Sequence, residues 1–199
     1  MKLATRRLVL RDYGASDFEA VHAFASDPRT TAFVDWGPNA EQDTLDFLEF
    51  CRRKASEVPR TNHTLAITRD GEVIGSAGLT MNARARRDRA REAEIGYTIR
   101  PDQWGNGYAT EAAAALIDFG FSQLHLSRIT ATCRPENVAS AGVLQKVGMG
   151  QVGLLKNDRL ISGRWMDSLV FAIDAVNRSP DPVSADTWSS QAINLVRAF

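Results

Sequence analysis

The sequence predicts one α/β domain built on a mixed sheet. Three observations support this prediction: a length of 199 residues, close to that of a single domain; segments typical of strands that alternate with segments typical of helices; and an ordinary globular composition, 44% hydrophobic and 24% charged. Basic and acidic residues number 24 each, so the net charge of zero argues against a dedicated nucleic-acid-binding protein, which carries an excess of Lys and Arg.

The N-terminus and the cysteines predict the cellular compartment. Residues 1–7 are basic but no apolar segment follows them, so no secretory signal is expected. No apolar run approaches the roughly 18 residues of a membrane span. Cys51 and Cys133 show no metal-type spacing. We therefore expect a cytoplasmic protein with two buried, reduced thiols and no metal site.

Local signals predict the first strand and helix. Residues 8–10 are apolar between charged neighbours, which indicates a short strand. Ser16 and Glu19 have the spacing of a capping box, so a helix is expected to begin there. It is expected to end at Ser26, because Pro28 disfavours the helical conformation of the residue before it.

A second helix and a hairpin follow. The helix is expected to begin at Asn39, with Gln42 in its first turn. Leu45 and Leu48 have the spacing of a buried helical face. Between residues 65 and 75, two apolar runs flank an Asp-Gly pair, which predicts a β-hairpin.

The strand predicted over residues 94–99 places a carboxylate at mid-sheet. Its alternation puts Glu94 on one face with Gly96 and Thr98, and Tyr97 on the opposite, apolar face with Ile95 and Ile99. Periodicity then predicts the remaining elements in order: a helix over 109–124, a strand over 129–133, a helix over 139–147, and closing strands over 152–155 and 169–173.

Residues 1–175 are predicted to form the domain, and residues 176–199 a linker and tail. The linker is polar and contains two prolines. The tail has apolar residues at helical spacing, which predicts an amphipathic helix; they are Trp188, Ala192, Leu195 and Phe199. The tail is expected to pack on its own domain or to form a contact in a homodimer.

The most informative segment is a glycine-rich turn between a predicted strand and helix. Gly105 and Gly107 lack Cβ atoms, so backbone N–H groups there can approach a phosphate, and the following helix start adds unsatisfied donors. The turn is either an anion-binding loop or a tight turn in which glycine serves geometry alone. It is neither a dinucleotide-binding fingerprint, which needs a third glycine, nor a Walker loop, which needs Gly-Lys-Ser/Thr.

Three motifs in order carry a family resemblance. They are Trp104-Gly105-Asn106-Gly107-Tyr108-Ala109-Thr110-Glu111-Ala112, Pro135-Glu136-Asn137-Val138-Ala139-Ser140 and Lys146-Val147-Gly148-Met149. Together with segments at 5–11, 36–38 and 161–167, they resemble the GNAT acetyltransferases, specifically the RimJ/RimL-type branch, over about residues 5–173. The resemblance implies a mostly antiparallel sheet splayed into a V and flanked by about four helices. It also implies that acetyl-coenzyme A binds where two central strands diverge.

The same resemblance implies the residues that bind acetyl-coenzyme A. It implies that the turn and the start of the helix bind the diphosphate; these residues are Trp104, Gly105, Asn106, Gly107, Tyr108, Ala109 and Thr110. Trp104 stands where the family usually has Arg or Gln, so backbone donors are expected to carry this binding. Ile99 pairs with the pantetheine amides and Asn137 holds the cofactor arm. Thr98 donates its N–H to the developing oxyanion from a bulged strand.

Glu94 and Ser140 are the catalytic candidates implied by the resemblance. Glu94 is the general base, often acting through a water; the alternative is a structural ion pair with a nearby arginine. Its ordinary pKa, near 4.3, must be raised by burial for work near neutral pH. Ser140 is placed to protonate or hydrogen-bond the leaving thiolate, since Leu144 stands where many family members have a tyrosine acid. Cys133 is expected to pack rather than react.

These expectations describe an N-acetyltransferase in which a primary amine attacks acetyl-coenzyme A directly in a ternary complex. The acceptor is a protein N-terminal α-amine or a small-molecule amine. Two alternatives stay open: a non-catalytic acyl-coenzyme A-binding module, and a nucleic-acid-associated protein that uses the five arginines from Arg84 to Arg91. Those arginines are also consistent with an acidic-substrate patch or a solvated loop.

Overall fold

The computed structural model describes residues 1–81, 91–161 and 163–177 and shows one mixed sheet of eight strands, as predicted. In space the strands follow the order β1-β2-β3-β4-β5-β6-β8-β7. Among the described strands, β5 and β6 are the only pair that runs parallel. The strands are β1 (Lys2–Ala4), β2 (Val9–Arg11), β3 (Asn62–Arg69), β4 (Glu72–Met81), β5 (Glu92–Ile99), β6 (Arg128–Cys133), β7 (Gly150–Ile161) and β8 (Arg164–Asp174). The α-helices are α1 (Phe18–Ala25), α2 (Pro28–Thr31), α3 (Glu41–Ser56), α4 (Tyr108–Ser122) and α5 (Val138–Lys146).

The first long helix begins at a different capping box from the predicted one. The Asp17 carboxylate accepts from the Gly14 N–H at 2.7 Å and closes a short 3₁₀ turn that leads into α1. The predicted pair of Ser16 and Glu19 is therefore wrong. An ionised carboxylate accepts a stronger, charge-assisted bond than a hydroxyl, which explains why Asp17 decides the start. The helix ends at Ala25, one residue before the predicted end, and Ser26 is its C-cap.

The start and the buried face of α3 also differ from the prediction. The Ala40 N–H donates to the Asp43 carboxylate at 2.8 Å, so the helix begins one residue later than a cap at Asn39 would give. Leu45 is 48% exposed, contrary to expectation. The buried residues of the helix are instead Thr44, Phe47 and Cys51.

Three strands extend beyond what the hydrophobic pattern shows. Residues 2–4 form β1 against β2, a pairing that was not predicted. β7 and β8 run for 12 and 11 residues, whereas the pattern predicts two short strands. β7 lies at the sheet edge and most of its side chains are exposed, so strand pairing rather than burial forms it.

Helix α4 packs very closely on the sheet. A Cβ atom on Gly120 would lie 2.7 Å from the Ile129 Cδ1 atom and 2.9 Å from the Leu126 Cδ1 atom. Only glycine therefore fits this contact without displacing a neighbour.

Several predictions fall outside the described residues. The arginine-rich loop lies almost wholly in residues 82–90, and the tail lies in residues 178–199. The domain boundary at residue 175 stays a prediction; β8 ends at Asp174. Cys51 and Cys133 are buried and not disulfide-bonded, as predicted. None of the described helices has the length and hydropathy needed to span a membrane.

Candidate active site

A cleft opens in the sheet where β5 and β6 part. The two strands pair only from Glu92 and Arg128 to Glu94 and Thr130, and then diverge. A cavity of about 140 Å³ fills the gap beyond this point. Its wall combines the ends of both strands with α5, β7 and the connection between α2 and α3. The lining residues include Asp35, Trp36, Thr98, Thr132, Cys133, Arg134, Asn137, Ser140, Leu144 and Arg159.

The glycine loop, which we define as residues 103–108, joins β5 to α4 at this end of the sheet. Gly105 and Gly107 both have φ of +78°, a left-handed conformation that favours glycine. The Trp104 indole N–H donates to the Ile99 carbonyl at 2.6 Å, and the Asn106 amide donates to the carbonyls of Gln103 and Trp104. The loop is thus held by its own side chains.

The start of α4 fits a diphosphate group. Its first N–H groups have no partner within the helix, and they carry the positive end of the helix dipole. No heavy atom lies within 4 Å of where a Gly105 Cβ atom would sit, so a ligand can approach the backbone there. Residues 105–110 can therefore hold the diphosphate of acetyl-coenzyme A through backbone donors.

The side chain of Tyr108 packs inside the protein instead of facing a ligand. Its ring is 5% exposed, with the Arg7 guanidinium 4.7 Å and the Arg69 guanidinium 5.6 Å from its centroid. Glu111 accepts from the Thr5 hydroxyl at 2.7 Å and from Nε of Arg7 at 2.7 Å. Burial opposes ionisation of Glu111, but these bonds outweigh it and lower the pKa. They tie the β1–β2 turn to the base of the glycine loop.

Glu94 lies at the apex of the cleft, at the last paired position of β5 and β6. Its half-buried carboxylate accepts from the Thr132 hydroxyl at 3.1 Å. Burial raises the pKa of Glu94, and the Thr132 bond and the charge of Arg159 oppose that rise only in part. Thr132 lines the cavity, whereas Glu94 does not, so Thr132 lies between the cavity and the Glu94 carboxylate. No ion pair to Glu94 closer than 4.0 Å occurs among the described residues.

Helix α5 brings Ser140 to the opposite wall of the cleft. Asn137 caps the helix, and its side-chain oxygen accepts from the Ser140 N–H at 3.1 Å. The Tyr97 hydroxyl lies 3.0 Å from Ser140 Oγ and 3.1 Å from the Ser140 carbonyl oxygen. Tyr97 therefore faces away from Glu94, as alternation predicts, yet it reaches a candidate catalytic residue. The sequence analysis missed this contact.

Comparison with known proteins identifies the family. The profile described as "Acetyltransferase (GNAT) domain" matches residues 7–150. The chain is a GNAT acetyltransferase. It is 31% identical over 176 residues to the uncharacterized N-acetyltransferase p20 of Bacillus licheniformis, covering 86% of this chain and 94% of that protein. It is also 31% identical over 86 residues to the [ribosomal protein uS5]-alanine N-acetyltransferase of Escherichia coli, covering 43% of this chain and 44% of that enzyme.

A solved structure agrees with the GNAT assignment. Mycobacterium smegmatis RimJ, determined in complex with CoA-disulfide, superimposes with a TM-score of 0.73 and 29% sequence identity over 85% of this chain and 82% of that chain. The predicted fold, the family and acetyl-coenzyme A as the cosubstrate are thereby confirmed. The protein transfers acetyl groups to amines.

The strand of this GNAT enzyme is not bulged at Thr98. Pairing of β4 with β5 runs without a register shift from Gly75 and Ile99 to Met81 and Ala93. The carbonyls of Ala93 and Ile99 accept from Thr130 and Trp104, away from β4. By alternation, the peptide group of Tyr97 also faces the cleft and that of Thr98 faces β4. The bulge expected at Thr98 is therefore wrong, although this residue still lines the cavity.

A charged network on the wall of the GNAT cleft was not predicted. We define it as Asp35, Arg134, Asp158, Arg159 and Ser168. Arg134 donates through Nη1 to the Asp167 carbonyl at 3.0 Å and to the Ser168 hydroxyl, which donates to Asp158. Arg159 donates to Asp35 at 2.6 Å and lies 3.4 Å from Asp158. These residues are up to 133 positions apart, so no local pattern joins them.

The network holds buried charge. Arg134 is 5% exposed, and burial lowers the pKa of its guanidinium, although Asp158 at 3.9 Å partly offsets this effect. Two arginines and two aspartates make the network electrically balanced. It connects β6, β7 and β8 to the connection before α3 and so shapes the side of the cleft opposite α5.

Proposed function

We propose that this enzyme acetylates a protein N-terminal α-amine or a small-molecule amine by direct attack on acetyl-coenzyme A in a ternary complex. The observation that carries this proposal is the cleft at the strand divergence, with Ser140 in its wall and Glu94 behind Thr132, which also lines it. An N-terminal acceptor is supported by the relative that is named as an alanine N-acetyltransferase of ribosomal protein uS5.

The intrinsic basicity of the acceptor favours an α-amine. Its reference pKa is near 8, so roughly one molecule in ten is neutral at pH 7, whereas a lysine side chain, with a pKa near 10.4, is neutral in fewer than one in a thousand. A weak base therefore suffices for an α-amine. A half-buried carboxylate behind one hydroxyl is such a base.

Glu94 acts as the general base through a water in this proposal. The carboxylate does not line the cavity itself, but Thr132, which donates to it, does. A water between the amine and Glu94 would accept the proton that nitrogen loses on acylation. Burial raises the pKa of Glu94, which makes the carboxylate a stronger base.

The thioester and the diphosphate of acetyl-coenzyme A are bound by separate parts of the site. The glycine loop and the start of α4 hold the diphosphate, and Asn137 and Ile99 flank the pantetheine arm. The developing oxyanion accepts a hydrogen bond from the backbone N–H of Tyr97. Tyr97 takes this role instead of Thr98 because, without a register shift between β4 and β5, the N–H of Thr98 faces β4. Cys133 stays a protonated thiol, since burial raises its pKa, so the amine attacks the thioester itself.

The decisive experiment measures release of free coenzyme A with a panel of amines and an alanine-initiated peptide. We expect amine-dependent release and a Glu94→Gln variant about 100-fold slower in kcat. The matched control is Glu92→Gln, two residues earlier on the same strand, for which we expect unchanged kcat. If no amine accelerates release, the protein is an acyl-coenzyme A-binding module and the proposal fails.

The pH profile gives the second measurement. Glu94 must be ionised to act, and its pKa is raised, so activity should fall with decreasing pH already above the ordinary pKa of glutamate. When kcat/KM is calculated per concentration of neutral amine, which removes the amine's own titration near pH 8, Glu94→Gln should abolish this acidic limb. Persistence of the limb in the variant would assign it to another group.

A further inference from the structure

Two hydroxyl groups meet on the cofactor side of the cleft. Tyr97 projects from β5 and Ser140 from α5, 43 positions apart in sequence. The Tyr97 hydroxyl lies 3.0 Å from Ser140 Oγ and 3.1 Å from the carbonyl oxygen of the same residue. Both side chains line the cavity.

The number of protons decides what this pair can do. A tyrosine hydroxyl has one proton to donate and can also accept. When it donates to the Ser140 carbonyl, Ser140 can donate its own proton to the tyrosine oxygen. When it donates to Ser140 Oγ, the serine proton is free to point into the cavity. Burial raises the pKa of Tyr97, so the phenol keeps its proton in both arrangements.

Neighbouring side chains hold the ring of Tyr97 in place but leave its O–H bond free to rotate between the two acceptors. The ring of Tyr97 packs against the main core, beside Ile95 and Ile99 on the same face of β5. Leu144, one turn beyond Ser140 on α5, is buried and contributes no hydroxyl. Tyr97 on β5 therefore supplies the second hydroxyl near Ser140 that Leu144 on α5 does not provide.

We propose that Tyr97 is a positioning residue that turns the Ser140 hydroxyl toward the leaving sulfur. This inference rests on the proposed function. As the carbon–sulfur bond breaks, its electron pair stays on sulfur, and the Ser140 O–H donates a hydrogen bond to it. Tyr97 rotates its own O–H from the carbonyl to Ser140 Oγ. Both hydroxyls keep their protons, because alcohols and phenols are weaker acids than thiols. The proton lost by nitrogen passes through the water to Glu94 and from Glu94 to solvent, and solvent finally protonates sulfur.

The test combines Tyr97→Phe, Ser140→Ala and the double variant. Each single change should lower kcat about tenfold, which corresponds to about 1.4 kcal/mol, and should leave the KM for acetyl-coenzyme A within about twofold. The double variant should be no slower than either single variant, because both changes remove one hydrogen bond. Tyr13→Phe is the matched control: it removes a buried hydroxyl in the second core cluster and should leave kcat unchanged.

Several results would overturn the inference. It fails if Tyr97→Phe keeps full kcat, if the two losses multiply in the double variant, or if only KM changes. Thermal unfolding of each variant separates instability from chemistry, and Ser140→Ala alone tests the hydrogen bond should Tyr97→Phe not fold. Wild-type protein without amine-dependent coenzyme A release would instead refute the proposed function.

Discussion

The glycine loop and the charged network are built in opposite ways, although both belong to the candidate active site. The loop offers backbone groups over six consecutive residues, and the side chains of Trp104 and Asn106 hold its conformation. The network binds nothing through its backbone, and it joins side chains from Asp35 to Ser168. The glycine loop is formed by residues adjacent in sequence and carries almost no charge. The charged network is formed mainly by charged side chains that are far apart in sequence.

We expect this difference to correspond to the two substrates. The cosubstrate has a constant chemical form, so a backbone-made loop with fixed geometry suits it. We expect the acceptor side to be formed by side chains of the charged network, which a few substitutions can change. We expect cosubstrate affinity to depend on the glycine loop, and stability and acceptor affinity to depend on the charged network.

The largest expected effect is on stability at Arg134. Arg134→Met removes the donor to the Asp167 carbonyl and to Ser168 and leaves Asp158 with less positive charge nearby. The free energy of unfolding should fall by about 3 kcal/mol, as for other broken buried ion pairs. Chemical denaturation measures it.

Arg128→Met, at the other end of β6, is the matched control. Its ion pair with Asp174 has both side chains about one-third exposed, so the loss should stay below about 1 kcal/mol. Equal losses in the two variants would show that the network contributes no more than a surface pair.

The next effect concerns the glycine loop. Gly107→Ala places a Cβ atom on a residue with φ of +78°, which costs about 1–2 kcal/mol in the left-handed conformation. The Kd of coenzyme A should rise about tenfold, measured by calorimetry, and the acceptor KM should not change. Gly71→Ala, in an open turn with φ of +89°, carries the same backbone strain and should leave coenzyme A binding intact. If both variants bind normally, the loop is only a turn.

The smallest effect is expected at the rim of the network. Asp35→Asn weakens the bond from Arg159, a partly exposed pair that contributes about 1 kcal/mol or less. The acceptor KM should rise about threefold while the KM for acetyl-coenzyme A stays constant. Glu49→Gln, which removes an exposed ion pair on α3, should change neither constant. A rise in the KM for acetyl-coenzyme A instead would place Asp35 on the cosubstrate side.

Elements with local causes could be predicted from the sequence. The hairpin over 65–75, the strand with Glu94, and the positions of α4 and α5 follow from turn residues and periodicity, and the structure confirms them. Helix starts were misplaced because Asp17 and Asp43, rather than Ser16 and Asn39, make the capping bonds. Several local groups can cap a helix, and only the folded backbone selects among them.

By itself, the sequence determined the glycine loop and most of the elements, because turn residues and short-range spacing encode them, and its motifs carried the family resemblance. The tertiary structure alone decided the charged network, the raised pKa of Glu94 and the contact of Tyr97 with Ser140. Each of these depends on burial or on atoms from distant segments. Neither desolvation nor a contact across 43 positions leaves a periodic pattern in the chain, so folding must bring the groups together before their chemistry exists.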